Sequence, residues 1–373
     1  LLAPAAKATF SDAPCALLPS PVAPASRCTL GIRMKPSLVN TSSIWHLNRN
    51  LAMALHQQGV DVRWQPDKWN VVSHPSYLGN TERFCQPHTE PYLTFGWGAH
   101  KEASSDPLDQ GQLLVMTSDH GWIWEPEVVR LMDAPDVRMV IALSPGCQEA
   151  IARVIPAERI WLLPPGVDHE IYRPDGPAFS GWGQVQWVSQ RPRRDAFVFL
   201  LGGYMQPRKG DVEALEAFCR AFAGRRDVAM LVKNIVGQQT VQLHARDVAG
   251  ELRMLSQRRD CPPVGYLTSC LSDYEMAALM RSVGCFVNVH HREGFGLMPL
   301  QSMACGTPAL VTDFHGPTQY ARPGTAYLVP VERTDLEPPN ASGGGTPQTR
   351  IPWAYYDLDG LAELMRQVVA GER

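Results

Sequence analysis

Apolar and polar residues alternate along the chain with two different periods, one typical of strands and the other typical of helices. The stripe with helical spacing near the start of the chain is formed by Ile44, Leu47, Leu51 and Leu55. This stripe predicts a helix over about 43–58, which Gly59 would end. Short apolar runs at about 29–32 and 60–64 predict a strand on either side. Strand, helix and strand in this order form a βαβ unit, the building block of a parallel sheet.

The same alternation continues through the rest of the chain. Apolar runs predict strands at about 113–116 and 137–143, and a second series of alternating elements follows a polar, proline-broken segment at about 174–195. The helix predicted from Ser272 has a capping box with Glu275. The alternation indicates parallel sheets covered on both faces. The remaining predicted elements are strands at 196–201, 228–232 and 285–289 and helices at 211–222, 241–255 and 358–369.

Composition limits the class of protein. A chain of 373 residues is long enough for two domains, and 45% hydrophobic with 19% charged residues is ordinary for a globular protein. A net charge of −3 gives no reason to expect nucleic acid as a partner. No apolar run reaches about 18 residues, so a membrane span is not expected, while peripheral contact with the inner membrane face remains open. Nine cysteines without metal-ligand spacing predict reduced thiols in a cytoplasmic protein.

The most informative segment is 290–308, with the sequence HHREGFGLMPLQSMACGTP. A polar loop, broken by Gly294 and Gly296, leads directly into an apolar helix. The start of a helix offers free backbone N–H groups and a positive dipole end, which together bind anionic oxygen. In the same loop, the carboxylate of Glu293 can accept hydrogen bonds from hydroxyl groups. A sugar joined to a diphosphate would need both features.

A second loop carries adjacent cations. Residues 202–210 follow a predicted strand, precede a predicted helix, and include Arg208 and Lys209 between glycines. Two cations there would neutralise a diphosphate leaving group, whose charge grows as the glycosidic bond breaks. Taken alone, the pair would be a solvent-facing turn, and the segment at 290–308 makes the anion-binding interpretation the better one.

The first predicted domain has its own candidate wall of a cleft. Residues 117–125 combine two tryptophans with Asp119, His120 and Glu125, and such residues stack on sugars or bind their hydroxyls. Residues 34–41 are the other candidate wall. The adjacent His290 and His291 would point apart on a strand, so they do not suggest a metal site.

These segments resemble the group 1 (family 4) retaining glycosyltransferases of the GT-B fold. The family pattern is Glu-Gly-Phe-Gly, a second Glu eight residues after the first, and then Ala-Met-Ala-Cys-Gly-Thr-Pro. Residues 293–296 and 303–308 match this pattern, whereas the eighth position is Gln301. In the family the first Glu holds the donor sugar and the second usually holds the nucleotide ribose.

The resemblance implies an α/β fold of two Rossmann-like, doubly wound parallel-sheet domains that face each other across a cleft. In that family the C-terminal helix often crosses back to the first domain. The expected division is a disordered Ala/Pro-rich arm at 1–27, an acceptor domain at 28–168, a linker at 169–195, a nucleotide-sugar domain at 196–352 and a C-terminal helix at 353–373.

The resemblance also implies roles for individual residues. Lys209 matches the Lys of the family's phosphate loop, Tyr204 stands where an Arg often follows the first glycine, and Arg208 is expected to take over that task. His120 loosely resembles a first-domain His near the reacting sugar. Glu293, Lys209, Arg208 and His120 are therefore the candidate catalytic residues. The candidate donor-binding residues are Gly203, Gly294, Phe295, Gly296, Leu297, Met298 and Gln301, with the side chain of Phe295 interpreted as packing.

The implied activity is transfer of a sugar from a UDP- or GDP-sugar to a hydroxyl of a glycan, lipid or small-molecule acceptor, with retention at the anomeric carbon. No cofactor and no metal are expected, because the two cations and the helix-end N–H groups would handle the diphosphate charge. Two alternatives stay open. One is a nucleotide-sugar epimerase of the same fold. The other is a non-catalytic nucleotide-sugar or glycan-binding relative, which Gln301 and Tyr204 keep in consideration.

Overall fold

The strands and helices fall into two α/β units. They are seen in a computed structural model that describes residues 31–35, 50–52, 54–64, 92–97, 107–116, 129–130, 132–188, 190–203, 205–234, 247–336 and 352–371. The predicted arm at 1–27 lies outside these residues. No described helix is both long and apolar enough to cross a bilayer.

The first unit is a parallel sheet in which the described residues form six strands, in the order β2-β1-β3-β4-β5-β6. Helical residues 50–52 and 54–57 connect β1 to β2, as the apolar stripe predicts. Helix α1, Pro145–Ile151, follows β5 and is capped by the side chain of Ser144. The strands are β1 Gly31–Lys35, β2 Val62–Trp64, β3 Tyr92–Trp97, β4 Asp109–Met116, β5 Val137–Ala142 and β6 Ile160–Leu162.

The second unit is a sheet whose seven described strands have the order β13-β12-β11-β8-β9-β10-β7, all parallel except the edge strand β7. The chain runs outward from β8 in one direction and from β11 in the other. Ligands of open α/β sheets bind at such a switch point, beyond the carboxyl ends of the strands. The strands are β7 Gln186–Trp187, β8 Phe197–Gly202, β9 Val228–Lys233, β10 Val264–Leu267, β11 Cys285–Asn288, β12 Ala309–Thr312 and β13 Tyr327–Val329.

Helices cover both faces of the second sheet. Every residue of β9, β11 and β12 is buried, as expected for parallel strands packed on two sides. The helices are α2 Asp211–Phe222, α3 Val248–Ser256, α4 Asp273–Arg281, α5 Leu297–Ala304 and α6 Leu358–Ala370, and a hairpin of β14 Arg333–Leu336 and β15 Pro352–Tyr355 lies between β13 and α6. The helix predicted at 211–222 and the capping box of Ser272 and Glu275 are both confirmed.

Part of the segment predicted as linker, 169–195, belongs to the second unit. Its residues Gln186–Trp187 are the strand β7, which pairs with β10. Upstream of β7, the Tyr172 hydroxyl donates to Asp273 Oδ1 at 3.1 Å, and the Phe179 amide donates to Ser282 Oγ at 2.8 Å. The linker is therefore shorter than predicted, because polar side chains at both ends of α4 hold it against the second domain.

The final helix packs on the second domain. Leu361, Met365 and Val368 of α6 are buried in the same apolar cluster as Phe218 of α2. The expectation that this helix crosses back to the first domain is wrong for the described residues. Its apolar stripe is satisfied by α2, so burial of that stripe requires no contact with the other unit.

The two units meet where their carboxyl edges face each other. Phe295 and Leu297 of the second unit belong to one apolar cluster with Val115 of β4 and Leu143, which directly follows β5. The loops that follow β8 and β11 therefore lie on the side of the second sheet that faces the first domain.

Candidate active site

The loop at 202–210, called here the cationic loop, is locked to the loop that follows β11. Gly210 adopts φ 69°, and a Cβ there would overlap the Val289 carbonyl oxygen and lie 2.6 Å from the Tyr356 hydroxyl oxygen. The His291 amide donates to the Arg208 carbonyl at 2.8 Å. Only glycine fits this approach, so the glycine that begins α2 also brings Arg208 and Lys209 to the neighbouring strand end.

Residues 289–296, called here the signature loop, are anchored by two buried histidines. His290 lies between two carbonyl oxygens, with Nδ1 3.3 Å from Asn288 O and Nε2 2.9 Å from Phe314 O. Burial lowers the pKa of His290 to about 4, against the smaller raising effect of Glu293. His290 is therefore a neutral structural residue at pH 7, and the described residues contain no group of three or more metal-ligating side chains around it or elsewhere.

His291 holds the other side of the signature loop. Its ring stacks between Trp353 and Tyr356, with centroid distances of 4.5 and 5.2 Å, and its Nδ1 lies 2.8 Å from Ala354 O. The two histidines thus point in different directions, as predicted for a strand end, and both serve as anchors. The β14–β15 hairpin, which the sequence did not predict, supplies most of the surface against which His291 packs.

Glu293 meets both predicted cations. Its Oε2 makes an ion pair with Lys209 Nζ, and the same oxygen lies 3.9 Å from Arg208 Nη1. The side chains of Glu293, Lys209 and Arg208 are only 9%, 16% and 12% exposed. Arg208 is further fixed by hydrogen bonds to Gln206 Oε1 at 2.9 Å and Arg292 O at 3.4 Å. The three residues predicted from two separate motifs form one charged cluster.

The end of the signature loop shapes the start of α5. Gly296 adopts φ 83°, and a Cβ there would lie 2.6 Å from the Tyr320 hydroxyl, which donates to the Gly296 carbonyl. Burial, with a smaller contribution from Glu293, raises the pKa of Tyr320 well above its usual value, so this hydroxyl stays protonated. No side chain caps α5. The first backbone N–H groups of α5 therefore receive no hydrogen bond from an N-cap side chain, and anion binding by Leu297 and Met298 stays a prediction.

Asp211 adds a buried carboxyl beneath the cationic loop. Burial raises its pKa to about 7, and Glu213 raises it further, while Lys209 and Arg208 lower it. The sequence pattern did not single out this residue, because an acidic first turn is common in helices. Its burial, which only the fold reveals, separates it from an ordinary first-turn carboxylate.

Lys233 is a second residue that the sequence analysis missed. It ends β9, is 6% exposed, and pairs across the sheet with Gly202 at the start of the cationic loop. Burial lowers the pKa of Lys233 to about 8, and Cys270 opposes this shift. A lysine that ends the apolar run of β9 was the available signal.

Some of the remaining predicted residues are described by the structure, and the others lie outside the described residues. Phe295 is packed against Tyr320 with ring centroids 5.5 Å apart, so its side chain serves packing, as interpreted from the sequence. Gln301 is 6% exposed on the first turns of α5, and none of the described residues lies within 4 Å of where a Gly203 Cβ would be. His120, Tyr204 and the candidate walls at 117–125 and 36–41 lie outside the described residues.

Two α/β domains that face each other at their carboxyl edges define the GT-B fold. Residues 189–336 match the family model described as glycosyl transferases group 1. The matched segment, which is less than half of the chain, is similar to that family and includes the cationic loop, the signature loop and α5.

Two named relatives each match about half of the chain. The phosphatidyl-myo-inositol mannosyltransferase of Mycolicibacterium smegmatis is 27% identical over 52% of this chain and 48% of its own length. The D-inositol 3-phosphate glycosyltransferase of Acidothermus cellulolyticus is 30% identical over 46% of this chain and 37% of its own length. The chain thus aligns with half or less of each relative.

Solved structures match nearly the whole chain. Sucrose-phosphate synthase from Thermosynechococcus elongatus has a TM-score of 0.60 and 16% identity, and Anabaena Alr3699/HepE in complex with UDP and glucose has a TM-score of 0.57 and 12% identity. Each comparison covers 91% of this chain and 90% of the other. At these identities the likeness establishes the GT-B fold alone.

Proposed function

We propose that the protein transfers a sugar from a nucleoside diphosphate sugar to an acceptor hydroxyl, with retention at the anomeric carbon. The observation that carries this proposal is the cluster of Glu293, Lys209 and Arg208 beside the uncapped start of α5. The cluster lies at the switch point between β8 and β11, where open α/β sheets bind ligands. A carboxylate for a sugar hydroxyl and cations for a diphosphate are thus side by side.

The two cations and the N–H groups at the start of α5 would bind the diphosphate of the donor together. Lys209 and Arg208 would neutralise the charge that develops on the diphosphate as the glycosidic bond breaks. The N–H groups of Leu297 and Met298 would bind phosphate oxygens without needing a metal ion. We therefore propose that transfer needs neither metal nor cofactor. When Lys209 binds the diphosphate, it would no longer pair with Glu293, and the Glu293 carboxylate would be free to accept a hydrogen bond from a donor-sugar hydroxyl.

The acceptor would approach from the first domain. The signature loop packs on Leu143 at the carboxyl edge of the first sheet, so a ligand on Glu293 would face that domain. Burial of this region would limit competition from water as an acceptor. The names of the two relatives refer to phosphatidyl-myo-inositol and D-inositol 3-phosphate. Acceptors with an inositol hydroxyl are therefore the first to assay, and a lipid acceptor would place the protein peripherally on a membrane.

Retention is proposed through attack on the same face of the sugar, assisted by the departing phosphate. Glu293 is held by Lys209 and Arg208, which suits a carboxylate that binds hydroxyls rather than one that attacks carbon. The proton of the acceptor hydroxyl would pass to the leaving diphosphate oxygen. No covalent sugar-enzyme intermediate is required by this route.

The experiment that tests the proposal titrates UDP-, GDP- and ADP-sugars calorimetrically and follows nucleotide release by mass spectrometry. Binding of one donor, slow release without acceptor and faster release with an inositol acceptor, all unchanged by EDTA, are the expected results. Proton NMR of the product should show the donor's anomeric configuration. Interconversion of the sugar while it stays on the nucleotide would instead indicate an epimerase. Binding without turnover across an acceptor panel would indicate a non-catalytic binding protein.

A further inference from the structure

We propose that Lys233 is an additional donor-binding residue, whose ammonium contacts the diphosphate of the nucleotide. This inference rests on the proposed function and deepens it. Lys233 is not part of either motif that the sequence analysis used.

The position of Lys233 places it next to the site. The strands β11, β8 and β9 are neighbours in the sheet, and their carboxyl ends carry the signature loop, the cationic loop and Lys233. Lys233 pairs with Gly202, and the Gly203 amide donates to the Lys233 carbonyl at 3.4 Å. Lys233 therefore ends its strand directly beside the first residues of the cationic loop.

The pleat shows which face of the sheet Lys233 shares. Gly202 and Lys233 are paired, and paired residues of parallel strands project to the same side. A Cβ on Gly202 would lie 2.9 Å from Met298 Cε, so this is the face that carries the start of α5. Because Gly202 has no side chain, the Met298 side chain can lie over this face of the sheet. The lysine therefore lies on the face from which the first N–H groups of α5 would bind phosphate.

Burial without a counter-ion is the observation that points to a ligand. Lys233 is 6% exposed, yet within the described part of the chain its ammonium makes no ion pair and no hydrogen bond. The nearby ionisable group is the thiol of Cys270. A buried ammonium without a partner is unfavourable, and such groups persist where a ligand supplies the missing charge. The adjacent space supports this interpretation, since no described residue lies within 4 Å of where a Gly203 Cβ would be.

The ligand class follows from the surroundings. An ammonium beside uncapped helix N–H groups and two further cations selects a multiply charged anion over a neutral sugar. The charge of a nucleoside diphosphate is spread over two phosphates, so Lys209 and Arg208 on one side and Lys233 on the other can bind it together. A nucleoside without phosphates would gain nothing from Lys233.

The test compares Lys233→Met and Lys233→Arg with wild type and with Arg259→Met. Arg259 is exposed and precedes β10, at the amino edge of the sheet, so its replacement matches the charge change away from the site. UDP, GDP and ADP are titrated calorimetrically into wild type, and the tightest binder and its nucleoside are then titrated into each variant. Melting temperatures without nucleotide are measured in parallel.

Removal of the Lys233 charge is expected to weaken nucleotide binding without lowering the melting temperature. Lys233→Met should bind the diphosphate at least tenfold more weakly while melting at the same or a higher temperature, because a buried unpaired charge is removed. Lys233→Arg should keep affinity within about threefold, and Arg259→Met should match wild type. Equal affinity of wild type and Lys233→Met for the diphosphate, or an equal loss for the nucleoside, would overturn the assignment and leave the proposed function standing. Failure of wild type to bind any of the three nucleotides would overturn both.

Discussion

Lys209 and Glu293 are 84 residues apart in the chain, and their charged groups form an ion pair at the switch point of the second sheet. Each side chain is mostly buried, and each comes from a different strand end. Two motifs that are separate in the sequence therefore form one charged unit. In the absence of donor, the cation proposed for the diphosphate is paired with the carboxylate proposed for the sugar.

The pairing predicts strong coupling between the two residues. Lys209→Met should lower the free energy of unfolding by about 1–3 kcal/mol, because it removes the nearer cation and leaves the buried Glu293 carboxylate with Arg208 at 3.9 Å. Adding Glu293→Gln to Lys209→Met should restore much of that loss. Urea denaturation of the two single variants and the double variant measures the coupling. Additive losses would contradict a functional ion pair.

The close packing of Gly210 can be tested by substitution, with Gly224 as the matched control. Gly210 and Gly224 have φ values of 69° and 72°. A Cβ on Gly210 would meet the Val289 carbonyl, whereas a Cβ on Gly224 would have no described residue within 4 Å. Gly224→Ala should cost only the left-handed strain of about 1–2 kcal/mol. Gly210→Ala should cost more and also weaken donor binding, because the cationic loop must move. Thermal melting and calorimetry check both effects, and equal losses in stability would refute the close approach.

Replacement of Asp211 by a neutral residue is expected to stabilise the protein by an amount that depends on pH. The folded pKa of about 7 lies above the ordinary 3.8, so the folded state binds more protons between these values, and stability falls as pH rises from 3.8 to about 7 and then levels off. Asp211→Asn, which is neutral at every pH, should therefore raise the melting temperature more at pH 8 than at pH 5. An equal gain at both pH values would show that the carboxyl is not buried as described.

For Lys233 we expect the opposite pH dependence of stability, at higher pH. Its folded pKa of about 8 lies below the ordinary 10.5, so the unfolded state binds more protons between these values. Wild type should gain stability relative to Lys233→Met as pH rises from 8 to 10.5, by on the order of 2–3 kcal/mol. Denaturation of both proteins at matched pH values measures the difference. Parallel curves would mean that Lys233 is solvated in the folded state.

The sequence predicted those features that depend on local periodicity or on a motif. The helix at 211–222 was predicted with its final bounds, and Glu293, Lys209 and Arg208 proved to be neighbours because strand ends of a parallel sheet share one edge. The strand β3 was not predicted, although it lies in the middle of the first sheet. Its sequence, YLTFGW, has no clear period, and its place is decided by pairing with β1 and β4.

Other features depend on tertiary contacts that periodicity does not encode. The apolar stripe of α6 was predicted, but its partner, α2, was not, since a stripe does not specify what covers it. The sequence predicted that His290 and His291 point apart, whereas the stacking of His291 between Trp353 and Tyr356 involves a hairpin about 60 residues away. The burial of Lys233 and Asp211, which distinguishes them from other charged residues, is known only from the fold.

The most direct test of the central claim compares Glu293→Gln with Glu158→Gln in donor turnover. Glu158 is exposed in the first domain, so it controls for loss of one carboxylate. We expect kcat/KM for nucleotide release from the preferred donor sugar to fall about 10- to 100-fold in Glu293→Gln, because a charge-assisted hydrogen bond to the sugar becomes a neutral one. Glu158→Gln should match wild type. Unchanged turnover in a folded Glu293→Gln protein would remove Glu293 from the donor site and contradict the account.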